Sequence, residues 1–232
     1  MYALPFAKLL QRVAKYPHMK TGGLRLIILL GLFGDFDSFE YAQTIKRNWH
    51  KLQKSGIKTL FIGIGDEHSR IQFSDYTSLP IEIIQYEENS DMHEELGCSK
   101  GLDYEIAPLL NLLLMCAGVG SPGTLPEVLR GYIGDKKSSQ IYNSSDLIRL
   151  PTLFPLRASL FERAGGTGFL RPFEMATLRL ENMLEVLTHW HIYMKYNDNL
   201  TQRGGTFLID REDNLVYRYL PSSLLGYSEC MP

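Results

Sequence analysis

The stretch Leu24-Arg-Leu-Ile-Ile-Leu-Leu-Gly-Leu-Phe33 is almost continuously apolar, a pattern typical of a central strand that is buried on both faces. Helical and strand patterns alternate after it. Further strands are expected at residues 58–64 and 81–86, and helices at residues 39–54, 66–76 and 92–96. Asp37 or Ser38 is the expected N-cap of the first helix, and Asp66 that of the second. This alternation predicts parallel pairing of the strands through right-handed crossovers.

The pattern changes between residues 99 and 202, where no strong strand pattern occurs and a long helix is expected at residues 172–193. Strand patterns return at residues 205–210 and 215–219, on either side of a turn, and predict an antiparallel hairpin. The chain therefore divides into a basic N-terminal segment (residues 1–23) and one domain (residues 24–232). Within that domain, residues 24–98 and 203–220 form the core, and residues 99–202 form a helical insertion.

The composition excludes several classes of protein. The chain has 232 residues, a net charge of −2 and three cysteines. A disulfide scaffold and a cysteine-rich zinc module are excluded, and no overall basic field favours a nucleic-acid partner. No metal is expected, because His189 and His191, two positions apart on a helix, face different directions. No cofactor is expected either, since the sequence has no Walker loop and no G-x-G-x-x-G motif after a strand. No apolar run reaches the roughly 20 residues that a membrane-spanning helix needs.

The first 34 residues contain no acidic side chain but five basic ones. Leu4, Ala7, Leu9, Leu10 and Val13 can share one helical face among those cations. Two interpretations are open: a terminal helix that packs on the domain, or a short amphipathic segment that contacts an anionic membrane or an acidic partner.

The closing motif Arg203-Gly-Gly-Thr-Phe-Leu-Ile-Asp210, together with the order of elements, resembles the peroxiredoxin-like proteins of the AhpC/TSA superfamily. More narrowly, the chain resembles a cysteine-less branch typical of cyanobacteria and plastids. The blocks that carry this narrower resemblance are Gly34-Asp-Phe-Asp-Ser-Phe-Glu-Tyr-Ala42, residues 109–118, 120–124, 127–132 and 171–179, and the Arg203 motif. The resemblance implies an α/β fold: a thioredoxin-like mixed sheet flanked by helices, with a long helical insertion before the C-terminal hairpin.

The resemblance also implies a degenerate redox site made of Asp35, Asp37, Ser38 and Arg203. Asp35 and Ser38 occupy the two cysteine positions of redox-active relatives, and neither side chain can reduce a peroxide by thiol chemistry. Arg203 matches the arginine that orients the peroxide, so an ion pair with Asp35 or Asp37 is expected. The loop is alternatively a plain helix cap with an acidic first turn, or the remnant of a small-ligand or anion site. A small-molecule or pigment-binding module around Arg203 is a third interpretation of the function.

The three cysteines lie outside that loop. Cys116 stands in the apolar block and is expected to be a small buried core residue. Cys98 follows Gly97 near the end of a short helix, a position compatible with exposure, and Cys230 lies close to the C-terminus. A thiol peroxidase or oxidoreductase that uses one of these non-standard cysteines is therefore the alternative function.

The insertion is the main departure from a minimal thioredoxin-like domain. It either caps the sheet and buries its own helices, or presents an interface to a membrane protein. The expected interface residues are Leu109, Leu110, Leu112, Leu113 and Met115. The resemblance supplies the leading hypothesis: a non-catalytic assembly or repair factor, peripheral on the cytoplasmic or stromal face of the thylakoid membrane. Its expected partners are photosystem subunits, with photosystem II favoured over photosystem I.

Overall fold

The computed structural model describes residues 3–20, 22–102, 107–148 and 155–227. Its main sheet has five strands in the order β3-β2-β1-β6-β7. These strands are β1 (Arg25–Leu32), β2 (Lys58–Ile64), β3 (Ile84–Glu87), β6 (Gly205–Ile209) and β7 (Leu215–Tyr219). The pairs β1–β2 and β2–β3 are parallel, whereas β1–β6 and β6–β7 are antiparallel. The predicted α/β fold with a thioredoxin-like mixed sheet is confirmed.

Ten helices and a small two-stranded sheet complete the part of the chain that the structure describes. The helices are α1 (Ala3–Ala14), α2 (Phe36–Arg47), α3 (Trp49–Lys54), α4 (Glu67–Thr77), α5 (Asp91–Glu95), α6 (Pro108–Cys116), α7 (Thr124–Ile133), α8 (Ser159–Gly165), α9 (Glu174–Thr188) and α10 (Trp190–Tyr193). The small sheet pairs β4 (Leu147–Ile148) with β5 (Leu156–Arg157). Strands of two residues are too short to produce a periodic pattern, so the sequence does not reveal them.

Two of the predicted helices are interrupted in the structure. The helix expected at residues 39–54 breaks at Asn48, whose side-chain amide donates to the Thr44 carbonyl and competes with the backbone ladder. The helix expected at residues 172–193 begins only after Phe173, which has a left-handed backbone with φ of 64°. It breaks again at His189. The Asp66 cap is confirmed, because its carboxylate accepts the Ser69 amide and Ser69 Oγ accepts the Asp66 amide.

Strand β1 is buried along its whole length because helices cover both faces of the sheet. Leu26, Ile28 and Leu30 point into one core, which the helices α2 and α4 share. Ile27 and Leu29 point into the opposite core. The continuous apolar run of the sequence thus results from two alternating buried faces rather than from one.

The basic N-terminal helix α1 packs on this second core through Leu9 and Val13, which are both 1% exposed. Its Lys8 pairs with Glu95 at 2.9 Å, and Arg12 lies 3.6 Å from the same carboxylate. The geometry therefore favours the interpretation of a terminal helix that packs on the domain.

The insertion folds against the core on the side of α2, where α9 contacts both α2 and α7. The insertion contains a fully buried ion pair between Arg171 and Glu174. Among the described residues, no helix is long and apolar enough to cross a membrane.

Candidate functional site

The site lies where β1 leads into α2. Gly34 is required there, because a Cβ atom at this position would come within 2.6 Å of the Tyr193 Cβ. Asp35 is the N-cap residue of α2, and Asp37 lies in its first turn. The helix thus begins two to three residues earlier than the expected caps Asp37 and Ser38, which are inside it. The turn between β1 and α2 is correspondingly short. It places both carboxylates next to Arg203, near the start of β6.

Arg203 lies two residues before the start of β6 and contacts both carboxylates. Its Nη1 atom is 3.1 Å from Asp35 Oδ2 and 2.8 Å from Asp37 Oδ2. Its Nε and Nη2 atoms donate to the carbonyls of Thr201 and Leu200 at 2.9 and 3.1 Å. The guanidinium is only 1% exposed, so its orientation is fixed. The expected ion pair is present, with two carboxylates rather than one.

This cluster contains two carboxyl groups, those of Asp35 and Asp37, but one guanidinium. Burial raises the pKa of Asp35, and it raises the pKa of Asp37 to about 7, with repulsion from Asp35 as the second cause. The attraction of Arg203 opposes both shifts but does not cancel them. One cation shared by two buried carboxylates leaves the pair close to a protonation change at neutral pH.

Ser38 lies beside the pair, 2% exposed, and its Oγ has no hydrogen-bond partner among the described residues. It lines a cavity of about 30 Å³ together with Tyr41, Arg203 and Thr206. A space of that size holds about one water molecule. A pigment does not fit between Ser38 and Arg203.

The segment after β7 closes the site from the other side. The Leu225 amide donates to Asp37 Oδ1 at 2.7 Å, and the Tyr227 hydroxyl donates to Glu40 Oε1 at 2.7 Å. Glu40 is fully buried, and Arg179 Nε donates to its second oxygen at 2.7 Å. The site predicted from the sequence did not include Glu40, Arg179 or Tyr227. The three-residue spacing of Asp37 and Glu40 on one helical face was the signal that could have found Glu40.

The environments of the two described cysteines are the reverse of those expected. Cys98 is buried, and burial raises its pKa to about 12. Cys116 is exposed at the end of α6, where partial burial and the charges of Asp37 and Asp35 raise the pKa of its thiol. The reason is the orientation of α6, which buries Asn111 and Met115 instead and lets the Asn111 amide donate to the Leu102 carbonyl. Cys230 lies outside the described residues.

Only some of the residues of the expected interface on α6 are exposed. Leu109, Leu110 and Leu113 are 56%, 49% and 57% exposed, whereas Leu112 is half-buried. Met115 is fully buried, so its inclusion in the interface was wrong. Residues 107–126 contain no charged side chain, which leaves this part of the surface apolar.

The described residues contain no group of three or more His, Cys, Asp or Glu side chains that could hold a metal ion. His189 instead directs its Nδ1 atom to Glu185, at 3.0 Å from Oε1.

Comparison with known proteins gives one match. The family model described as AhpC/TSA antioxidant enzyme matches residues 44–222. The matched range contains Arg203 and the whole insertion, and it begins after Asp35, Asp37 and Ser38. A search of curated proteins found no match. A search of solved structures found none either. Since the match covers most of the chain and the sheet has the expected thioredoxin-like order, the chain belongs to the AhpC/TSA antioxidant enzyme family and has a peroxiredoxin-like fold.

Proposed function

We propose that this protein is a non-catalytic member of its family that acts as an auxiliary factor, in assembly or repair, on a membrane-protein complex. One observation carries the proposal: the buried guanidinium of Arg203 is fully engaged by two carboxylates and two carbonyls. No thiol occurs in residues 34–40, which form the loop and the first turn of α2. The site therefore lacks both the sulfur and the free arginine that peroxide reduction needs.

Cys116, whose thiol is influenced by the charges of Asp35 and Asp37, is badly placed for that chemistry. Cys116 is the last residue of α6, and the partial negative charge at the end of a helix disfavours a thiolate. The two carboxylates of the site disfavour it further, which agrees with the raised pKa of Cys116. A peroxidatic cysteine needs the opposite environment, a positive one at the start of a helix.

The outer face of α6 supports the docking part of the proposal. Leu109, Leu110 and Leu113 expose about half of their surface each, in a stretch that carries no charge for 20 residues. Contiguous apolar surface of this kind marks sites of interaction with proteins or membranes. The narrower resemblance of the sequence directs the proposal to a photosystem complex, with photosystem II preferred to photosystem I, at the cytoplasmic or stromal face of the thylakoid.

Co-purification from thylakoid membranes tests this proposal. The tagged wild-type protein is expected to recover photosystem subunits, and the variant Leu109→Ser/Leu113→Ser to recover several-fold less. Leu147→Ser is the matched control, because Leu147 is 52% exposed on the small sheet and is expected to leave recovery unchanged. Recovery of the wild-type protein without any photosystem subunit would contradict the proposal.

The second candidate is a thiol peroxidase, and the exposure of Cys116 close to the carboxylates is the observation that keeps it open. Peroxide consumption by the wild-type protein is compared with that of Cys98→Ser, Cys116→Ser and Cys230→Ser. We expect no consumption above buffer. Consumption that one of the three substitutions abolishes would favour the enzyme over the auxiliary factor.

A further inference from the structure

Three helices of the insertion leave a cleft above the degenerate site. Its volume is about 280 Å³, and its polar floor is formed by Asp35 and Asp37. The apolar lining comes from Phe36, Leu112, Val128, Leu180, Met183 and Leu224. A second cavity of about 190 Å³ adjoins it and shares Phe36, Leu112 and Met183 with it.

Each of the helices α6, α7 and α9 contributes side chains from one of its faces to the wall of this cleft. Leu112 and Cys116 are four residues apart on α6, Val128 and Tyr132 are four apart on α7, and Leu180 lies on α9. These side chains face a common space but do not fill it. Leu180 and Met183 consequently remain 38% exposed each. Covering such apolar walls with a ligand is favourable by about 25 cal/mol for each Å² removed from water.

When both carboxylates are ionised, the floor of the cleft carries a net negative charge. Arg203 is the only cation that contacts Asp35 and Asp37 among the described residues, so one carboxylate is in excess. Arg179 also lines the cleft, but Glu40 occupies its Nε and Nη2 atoms at 2.7 and 3.1 Å. An anionic ligand group is therefore repelled at this end, whereas a hydrogen-bond donor is attracted.

We propose that this cleft binds a lipophilic small molecule whose polar end is a hydrogen-bond donor, an amine or a hydroxyl, directed at Asp37. An engineered apolar cavity of about 150 Å³ holds benzene, so a body of about two rings, or an alkyl chain, fits the present cleft. The adjoining cavity of about 190 Å³ has room for a third ring. Apolar walls with a few convergent polar groups are the usual construction of a small-molecule site. The inference goes beyond the proposed function, because docking uses the outer face of α6 and the ligand uses its inner face.

Fluorescence titration of the full-length protein with N-phenylnaphthylamine, a neutral dye with a donor group, tests the proposal. We expect a saturable rise in fluorescence. Dodecylamine and dodecanol are expected to displace the dye at concentrations at least about tenfold lower than dodecanoate, a difference of about 1.4 kcal/mol. A rise that does not saturate would overturn the proposal, and so would displacement by dodecanoate at the same concentration as the amine.

Two variants locate the binding. Met183→Trp fills the cleft from a half-exposed position and is expected to weaken dye binding about tenfold or more, whereas Leu147→Trp on the small sheet leaves it unchanged. Asp37→Asn removes the excess charge and is expected to abolish the preference for dodecylamine over dodecanoate while dodecanol still binds. Equal binding by all variants would place the dye elsewhere and overturn the proposal. The measurement uses no membrane, so its failure leaves the co-purification result standing.

Discussion

Two arginine–carboxylate sites among the described residues, one in the insertion and one at the start of α2, differ in how many buried carboxylates share the arginine. In the insertion, Arg171 and Glu174 are both fully buried, with Arg171 Nη2 at 2.6 Å from Glu174 Oε1. The amides of Ile141 and Tyr142 also donate to that carboxylate, at 2.9 and 2.8 Å. At the start of α2, by contrast, one arginine serves two carboxylates.

The pKa values reflect this difference. Burial alone would raise the pKa of Glu174, but hydrogen bonds from Arg171 and from backbone amides outweigh it, and the pKa is lowered. At the other site, burial and mutual repulsion prevail and raise the pKa values of Asp35 and Asp37. A pair whose carboxylate accepts hydrogen bonds both from its arginine and from backbone amides is typical of a scaffold. One arginine shared by two buried carboxylates next to a cleft is typical of a functional site.

Replacement of Arg171 by Met is expected to have the largest effect on stability. It leaves the fully buried Glu174 without its cation, and the breaking of a buried pair costs about 3–5 kcal/mol. Unfolding in urea measures the loss. Arg163→Met is the control, since Arg163 is exposed on α8 and its replacement is expected to change little. A loss as small as that of the control would show that the two sites do not differ as described.

Replacement of Asp37 by Asn is expected to flatten the dependence of stability on pH. The pKa of Asp37 in the folded protein, about 7, lies above the ordinary aspartate value of 3.8, so the folded state binds more protons between these two pH values. The contribution of Asp37 is therefore fully present below pH 3.8 and is lost as the pH rises through 7. Asp35 and Glu40 raise this pKa and Arg203 lowers it.

Between pH 5 and pH 8 the wild-type protein is accordingly expected to lose on the order of 2 kcal/mol more than Asp37→Asn. Urea unfolding at several pH values gives the comparison. Asp198→Asn, at an exposed aspartate, is expected to keep the wild-type slope. Equal slopes for Asp37→Asn and the wild-type protein would mean that Asp37 is ionised throughout.

Replacement of Tyr227 by Phe is expected to have a moderate effect. It removes the hydrogen bond to the buried Glu40 but keeps the ring, which stacks on Tyr41 at 5.1 Å between centroids. A hydrogen bond to a charged group contributes about 1.5–3 kcal/mol, so the melting temperature should fall by several degrees. Tyr132→Phe, at a half-exposed tyrosine, serves as the control in the same thermal scan. An unchanged melting temperature for Tyr227→Phe would indicate that the C-terminal segment does not close the site in solution.

Replacement of Ser38 by Ala is expected to have the smallest effect. Its Oγ has no partner among the described residues, so little is lost when it is removed. Ser69→Ala is the matched comparison, because Ser69 is also 2% exposed but bonds to Asp66. That variant should lose about 1 kcal/mol. If Ser38→Ala loses as much, a water molecule in the small cavity is bound by Ser38 and contributes to stability.

Periodicity made the sheet predictable. The expected strands at residues 58–64 and 215–219 match β2 and β7 in full, because the apolar run of a buried strand and the alternation of a partly exposed one are both strong local patterns. The orientation of α6 was not predictable in the same way. Helix α6 is apolar at nearly every position, so it has no polar face that would indicate its orientation. The inward direction of Asn111 and Met115 therefore could not be predicted.

The site was predictable to the extent that a motif marks it. The Arg203 motif and the loop at residues 34–38 predicted an ion pair of the arginine with Asp35 or Asp37, and the structure pairs it with both. The hydrogen bond from the Leu225 amide to Asp37 could not be predicted, because it joins residues that lie 188 positions apart and neither carries a distinctive pattern. Contacts of that range depend on the tertiary structure alone.

The pairing of β1 with β6 has a consequence for synthesis on the ribosome. β1 is synthesised before the insertion, whereas its antiparallel neighbour β6 follows only after the whole insertion has been made. A nascent chain therefore holds a long apolar strand with one open edge, which is prone to aggregate until β6 arrives. We expect the growing polypeptide to depend on chaperones during that interval and to fold slowly, as chains with distant partners do.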